Sequence, residues 1–165
     1  MSQDVIESGA VKRMLDAAYE YFPAVLKHNT NASLGTVVLF VGPSPKNSTD
    51  YGSIALGSFR ADQLKNAWLH ARDRATRLAS NQNHVSSRQS RNVNQGLFGG
   101  ALRLKNIAIG SCAGLDEEMC ELFVCAIARK ADLISKEHAF NLSQLADHDF
   151  KRGLYHKICD AMQMP

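Results

Sequence analysis

Aromatic residues are scarce in this sequence, 7% of 165 residues with a single tryptophan, and proline occurs only four times. A platform that stacks single-stranded bases needs several exposed rings, so nucleic-acid binding by stacking is not expected. No apolar run approaches the roughly 18 residues of a membrane span. Met1-Ser2-Gln3-Asp4 has none of the marks of a secretory signal. The expectation is a protein without membrane attachment, in the cytoplasm. Cys112, Cys120, Cys125 and Cys159 contain no C-x-x-C pair, so reduced thiols are expected rather than a disulfide framework. Around Gly96, Gly99 and Gly100 there is neither a G-x-G-x-x-G pattern nor a Walker lysine, which leaves nucleotide binding without a motif. His156 and Cys159 share a helix face, but two ligands do not close a zinc site, and no metal is expected.

What is present is ordinary globular material, 45% hydrophobic and 21% charged. The length suits a single domain over 1–165, with a helical extension from about residue 138. Charge is unevenly placed. Residues 60–105 hold nine basic side chains against two acidic ones, whereas the rest of the chain is acidic by four. Such a cationic middle suits a small anionic ligand, an acidic protein or RNA, or the acidic part of a second copy, which makes a homo-oligomer the expected state.

Apolar spacing predicts a helix over 4–22 that Pro23 ends or kinks. Thr36–Val41 reads as a strand buried on both faces, the 42–52 stretch as a loop, and Ser53–Phe59 as a returning strand. A helix from an Asp62 N-cap to about Ala79 follows. Residues 80–96 have two apolar side chains, no acid and many amides, and are read as a long functional or disordered loop. Strand patterns at 101–103 and 106–109, a turn at 110–114, a helix from Asp116 to about 137 and a last helix near 150–162 complete the chain. The fold class is α/β of the α+β kind, in the order α-β-β-α-β(β)-α-α. That alternation does not build a doubly wound dinucleotide fold.

Gly110-Ser111-Cys112-Ala113-Gly114 is the sharpest local word. Glycines around a nucleophile permit a tight strand-to-helix bend, and a helix N-terminus lowers a thiol pKa. Cys112 is therefore the candidate catalytic residue of a cysteine-dependent enzyme, with His138, His148 and His156 downstream and Asp147, Asp149 and Asp160 as orienting acids. Asp116, Glu117 and Glu118 oppose thiolate formation.

Gly99-Gly100-Ala101-Leu102-Arg103-Leu104, the strand Asn106–Ile109, the 110–114 turn, Leu115-Asp116-Glu117-Glu118 and the Arg74–Ala79 helix together resemble GlcG/HbpS-like proteins over residues 5–135. The resemblance implies a profilin-like three-layer sandwich, mainly antiparallel, with helices on both faces, symmetric oligomerisation and a small-ligand pocket. Some members bind haem or associate with cobalamin enzymes. Haem is thus one ligand to test, with His28, His70 and His84 as the histidines such a test addresses and no axial ligand assigned. The expected pocket joins Ser111, Cys112 and Gly114 to the guanidinium groups of Arg74, Arg77, Arg88 and Arg91, which suit carboxylates or propionates.

Overall fold

A computed structural model describes residues 6–146 and 153–165. Its described elements run α1 (Ser8–Leu26), β1 (Gly35–Val41), β2 (Asp50–Gly57), α2 (Gln63–Ser80), β3 (Ala101–Leu104), β4 (Ala108–Ala113), α3 (Glu117–Lys130), α4 (Lys136–Ala146) and α5 (Leu154–Ala161). The four strands form one antiparallel sheet in the order β2-β1-β4-β3. β1 is buried along its whole length, as a β-branched, uncharged strand with helices on both sides should be.

Alternation along the strands sorts the core into two layers. Val37, Leu39 and Val41 of β1, with Ile109 and Ala113 of β4, pack against Ala67, Ala71, Ala75 and Leu78 of α2. Val38, Phe40 and Cys112 face the opposite layer, where Met14, Ala18 and Phe22 of α1 meet Met119, Phe123 and Ile127 of α3. Tyr155 and Ile158 of α5 and Ala139 and Leu142 of α4 extend that layer. The result is an α/β sandwich with helices on both faces of an antiparallel sheet. The described residues include no helix long and apolar enough to cross a membrane.

Several boundaries differ from the sequence reading, each for a local reason. Pro23 lies inside α1 rather than at its end. The hydrogen bond it forfeits is to the carbonyl of Tyr19, a solvent-facing residue, while buried Phe22 and Val25 hold the last turn down. Residues 4 and 5 of the expected helix lie outside the described residues. Asp62 precedes α2 but forms no cap bond; instead Gln63 Oε1 accepts the Arg60 N–H at 3.0 Å. The helix expected to reach 137 stops at Lys130, because Asp132 turns left-handed (φ 59°) and Leu133 N–H bonds back to Ala128 O at 2.9 Å. The last helix begins at Leu154, and positions 150–152 of that expectation are outside the described residues.

The expected turn at 110–114 is a correction of more consequence. Residues 110–113 belong to β4, and only Gly114 bends the chain. Gly110 is small for packing: a Cβ there would sit 2.4 Å from Val124 Cγ1 and 3.0 Å from Phe40 Cε1. Gly114 does have a backbone duty, with φ 118° and the Gly35 carbonyl 2.4 Å from where a Cβ would stand.

Candidate functional site

The amide-rich segment after α2 is neither structureless nor loose. It forms two short 3-10 turns, Ser87–Ser90 and Val93–Gln95, the first opened by a reciprocal Ser86/Gln89 capping box. The segment also covers the outer edge of β3, where Arg103 N–H donates to Val85 O at 2.8 Å. Arginine holds it down. Arg77 Nη1 donates to Ser87 O, Ser90 O and Ser90 Oγ at 3.2, 3.3 and 2.9 Å, and Nη2 donates to Phe98 O. Arg103 donates to the carbonyls of His84, Pro43, Leu78 and Asn81.

Two carboxylates of α3 complete the clasp. Glu121 is fully buried and accepts from Arg88 Nη2 at 2.9 Å, from Ser86 Oγ and from Gly100 N–H at 3.3 Å. Glu117 accepts from Gly99 N–H at 2.6 Å and pairs with Arg91 at 3.0 Å. Burial pushes the Glu121 carboxyl up to about 7, against the pull of Arg88 and the Ser86 hydroxyl.

The arginines named from the sequence and the end of β4 do meet here. Arg74, itself buried, donates from Nη1 to Cys112 O at 2.6 Å across the space that Gly100 leaves by lacking a Cβ. Their donors point into the fold, however. The carboxylates expected of a ligand are supplied to Arg88 and Arg91 by Glu121 and Glu117. Ser111 and Cys112, consecutive on a strand, face opposite layers. Ser111 Oγ donates to Ala71 O at 2.6 Å, whereas Cys112 Sγ lies 3.0 Å from Thr36 Oγ1 and shares a hydrogen bond with Cys120. Burial raises the Cys112 thiol well above the ordinary range, and the Cys120 hydrogen bond adds to the shift.

The histidines are scattered. His28 borders a surface cleft with Asp116 and Glu118, His70 is exposed on α2, and His84 Nδ1 is buried without a hydrogen-bond partner among the described residues. No group of three or more metal-ligating side chains gathers among the described residues.

A second place, which sequence reasoning only touched through His156 and Cys159, is a cavity of about 490 Å³ between the end of α3, α4 and α5. Phe140, Tyr155, Met164 and Cys159 line it, with Arg129 and Lys136 on its wall. Phe140, Tyr155 and His156 form a ring cluster with centroids 6.0–6.5 Å apart. Arg129 Nη1 donates to Cys159 Sγ at 3.4 Å and Nη2 to Pro165 O at 2.6 Å. Tyr155 is 3% exposed, and its hydroxyl has no hydrogen-bond partner among the described residues. Burial raises that phenol. The available signal was the Tyr155, His156, Cys159 spacing on one helix, but Arg129 and Phe140 come from other helices.

No family model matches the chain, and no curated protein or solved structure matches it.

Proposed function

We propose that this protein is a small-ligand-binding domain whose ligand is a compact carboxylic acid with an apolar body, seated between α3, α4 and α5. The observation that carries the reading is the cavity of about 490 Å³ with an aromatic wall and a guanidinium beside it. Ligand sites commonly combine an apolar lining with a few convergent polar groups, at roughly 300–1,000 Å³. Arg129 supplies the fork that suits a carboxylate, and Phe140 and Tyr155 supply the surface for an apolar body.

Calorimetric titration with benzoate, naphthoate and small dicarboxylates tests the reading, with haemin as a further arm followed by its absorption spectrum. The aromatic acids are expected to bind, and Arg129→Met to weaken them about 10-fold or more, since a hydrogen bond to a charged group contributes about 1.5–3 kcal/mol. Absence of binding at millimolar ligand by folded protein removes the proposal.

The same reading includes self-association. The outer edge of β2 has no neighbouring strand among the described residues, and Tyr19 and Leu34, both exposed, form one groove with its Ala55 and Leu56. An open, nearly uncharged edge strand favours pairing with another chain. Sedimentation equilibrium is expected to show a dimer that persists in high salt, whereas assembly through opposite charges would dissociate there. A monomer at both ionic strengths rules out both routes.

A further inference from the structure

Of the four thiols, Cys112, Cys120 and Cys125 are fully buried in the core, and Cys125 Sγ and Cys120 Sγ are each directed at a backbone carbonyl. Cys159 differs. It stands on the wall of the α3–α4–α5 cavity, with Arg129 donating to its sulfur at 3.4 Å. An independent observation marks the same spot: the Tyr155 hydroxyl, one helical turn earlier, is buried against the cavity without a hydrogen-bond partner among the described residues. Buried hydroxyls ordinarily have partners, and a polar atom of a bound molecule would give this one its partner.

We infer that Cys159 is a modification site within this cavity, where its thiol adds to small electron-poor alkenes that carry a carboxylate. The inference rests on the ligand-binding reading above, and it names the chemical class of ligand that would be held covalently.

In the addition, sulfur forms a bond to the β-carbon of the alkene and the π pair moves to the α-carbon as an enolate. That carbon then takes up a proton, while the thiol proton leaves to solvent at the mouth, where His156 is exposed. The net change is S–H across C=C, without oxidant or reductant. Arg129 and Tyr155 bring donors to the charge that develops on sulfur and on the enolate oxygen. Burial raises the Cys159 thiol, partly offset by Tyr155 and Arg129. The site therefore works by holding the alkene against the sulfur rather than by an acidic thiol. Its rate is expected to climb with pH through the ordinary cysteine range without an early plateau.

The test uses trans-3-benzoylacrylic acid, its neutral amide, and the saturated acid 3-benzoylpropionate, which binds without reacting. Adducts are located by peptide mass mapping of the intact folded protein, and rates are divided by those of N-acetylcysteine. Expected are adduct at Cys159 ahead of the other three cysteines, a preference of at least about 10-fold for the acid over the amide, protection by the saturated acid, and loss of that preference in Arg129→Met with the amide rate retained. If the saturated acid binds but the alkene reacts equally at all cysteines, or without preference for the acid, the inference is overturned and the ligand reading survives. If the saturated acid fails to bind and the preference is absent, both fall. Cys159→Ser, with unchanged binding of the saturated acid and no adduct, separates loss of the nucleophile from loss of the fold.

Discussion

Gly114→Ala is expected to lower stability by about 4 kcal/mol, or about 8–16 °C in melting temperature for a chain of this size. Its Cβ would meet the Gly35 carbonyl at 2.4 Å, on a residue whose φ is 118°. Neither obstacle belongs to a side chain, so no trimming of a neighbour relieves it. Gly110→Ala should cost less, about 2–3 kcal/mol by overpacking, because the atom it meets first is Val124 Cγ1. Combining it with Val124→Ala should recover much of that loss, giving a coupling of about 2 kcal/mol in a double-mutant cycle. Thermal and urea unfolding of the five proteins provide the comparison. Equal rescue of both glycines by Val124→Ala would contradict the strand assignment of residues 110–113.

Glu121→Gln is expected to change how stability depends on pH. The folded-state carboxyl titrates near 7, against 4.5 for an ordinary glutamate. Between those values the folded chain holds a proton that the unfolded chain has released. Stability from this group is therefore full below about 4.5, declines as pH rises, and levels above about 7. The gap between the two values corresponds to about 3 kcal/mol. Gln keeps partners for Ser86 and Gly100 without titrating, so the wild-type stability relative to the variant should fall by about that amount between pH 4.5 and pH 8. Arg88 faces the carboxylate directly and Glu117 lies one turn away on the same helix, so both accompany Glu121 in interpreting the curves. A difference that stays constant with pH would show that the carboxyl is ionised throughout, held by Arg88.

The sheet and its flanking helices were legible because their periodicities are strong. β1 reads as six consecutive apolar or β-branched residues, and α2 places alanine at 67, 71 and 75 on one face. The 110–114 word misled because the sequence does not distinguish a glycine that turns from a glycine that makes room. Gly110 is small on account of Val124 and Phe40, which lie on other elements. The arginines posed a related difficulty. Composition showed a cationic middle, but the acids that neutralise Arg88 and Arg91 sit 33 and 26 positions later, so ligand capture and internal clasping look alike in one dimension. The α3–α4–α5 cavity was hidden for the same reason, since its wall draws Arg129, Phe140 and Tyr155 from three helices.

Trp68, the one tryptophan, is half-buried between α2 and the sheet face formed by Val37, Leu39 and Ala113. The α3–α4–α5 cavity lies in the opposite layer. Intrinsic fluorescence is consequently a local reporter of how α2 sits on its side of the β-layer. It should stay dark to direct quenching by an occupant of the far side, and a change in emission on ligand addition would mean that occupancy is felt through the strands.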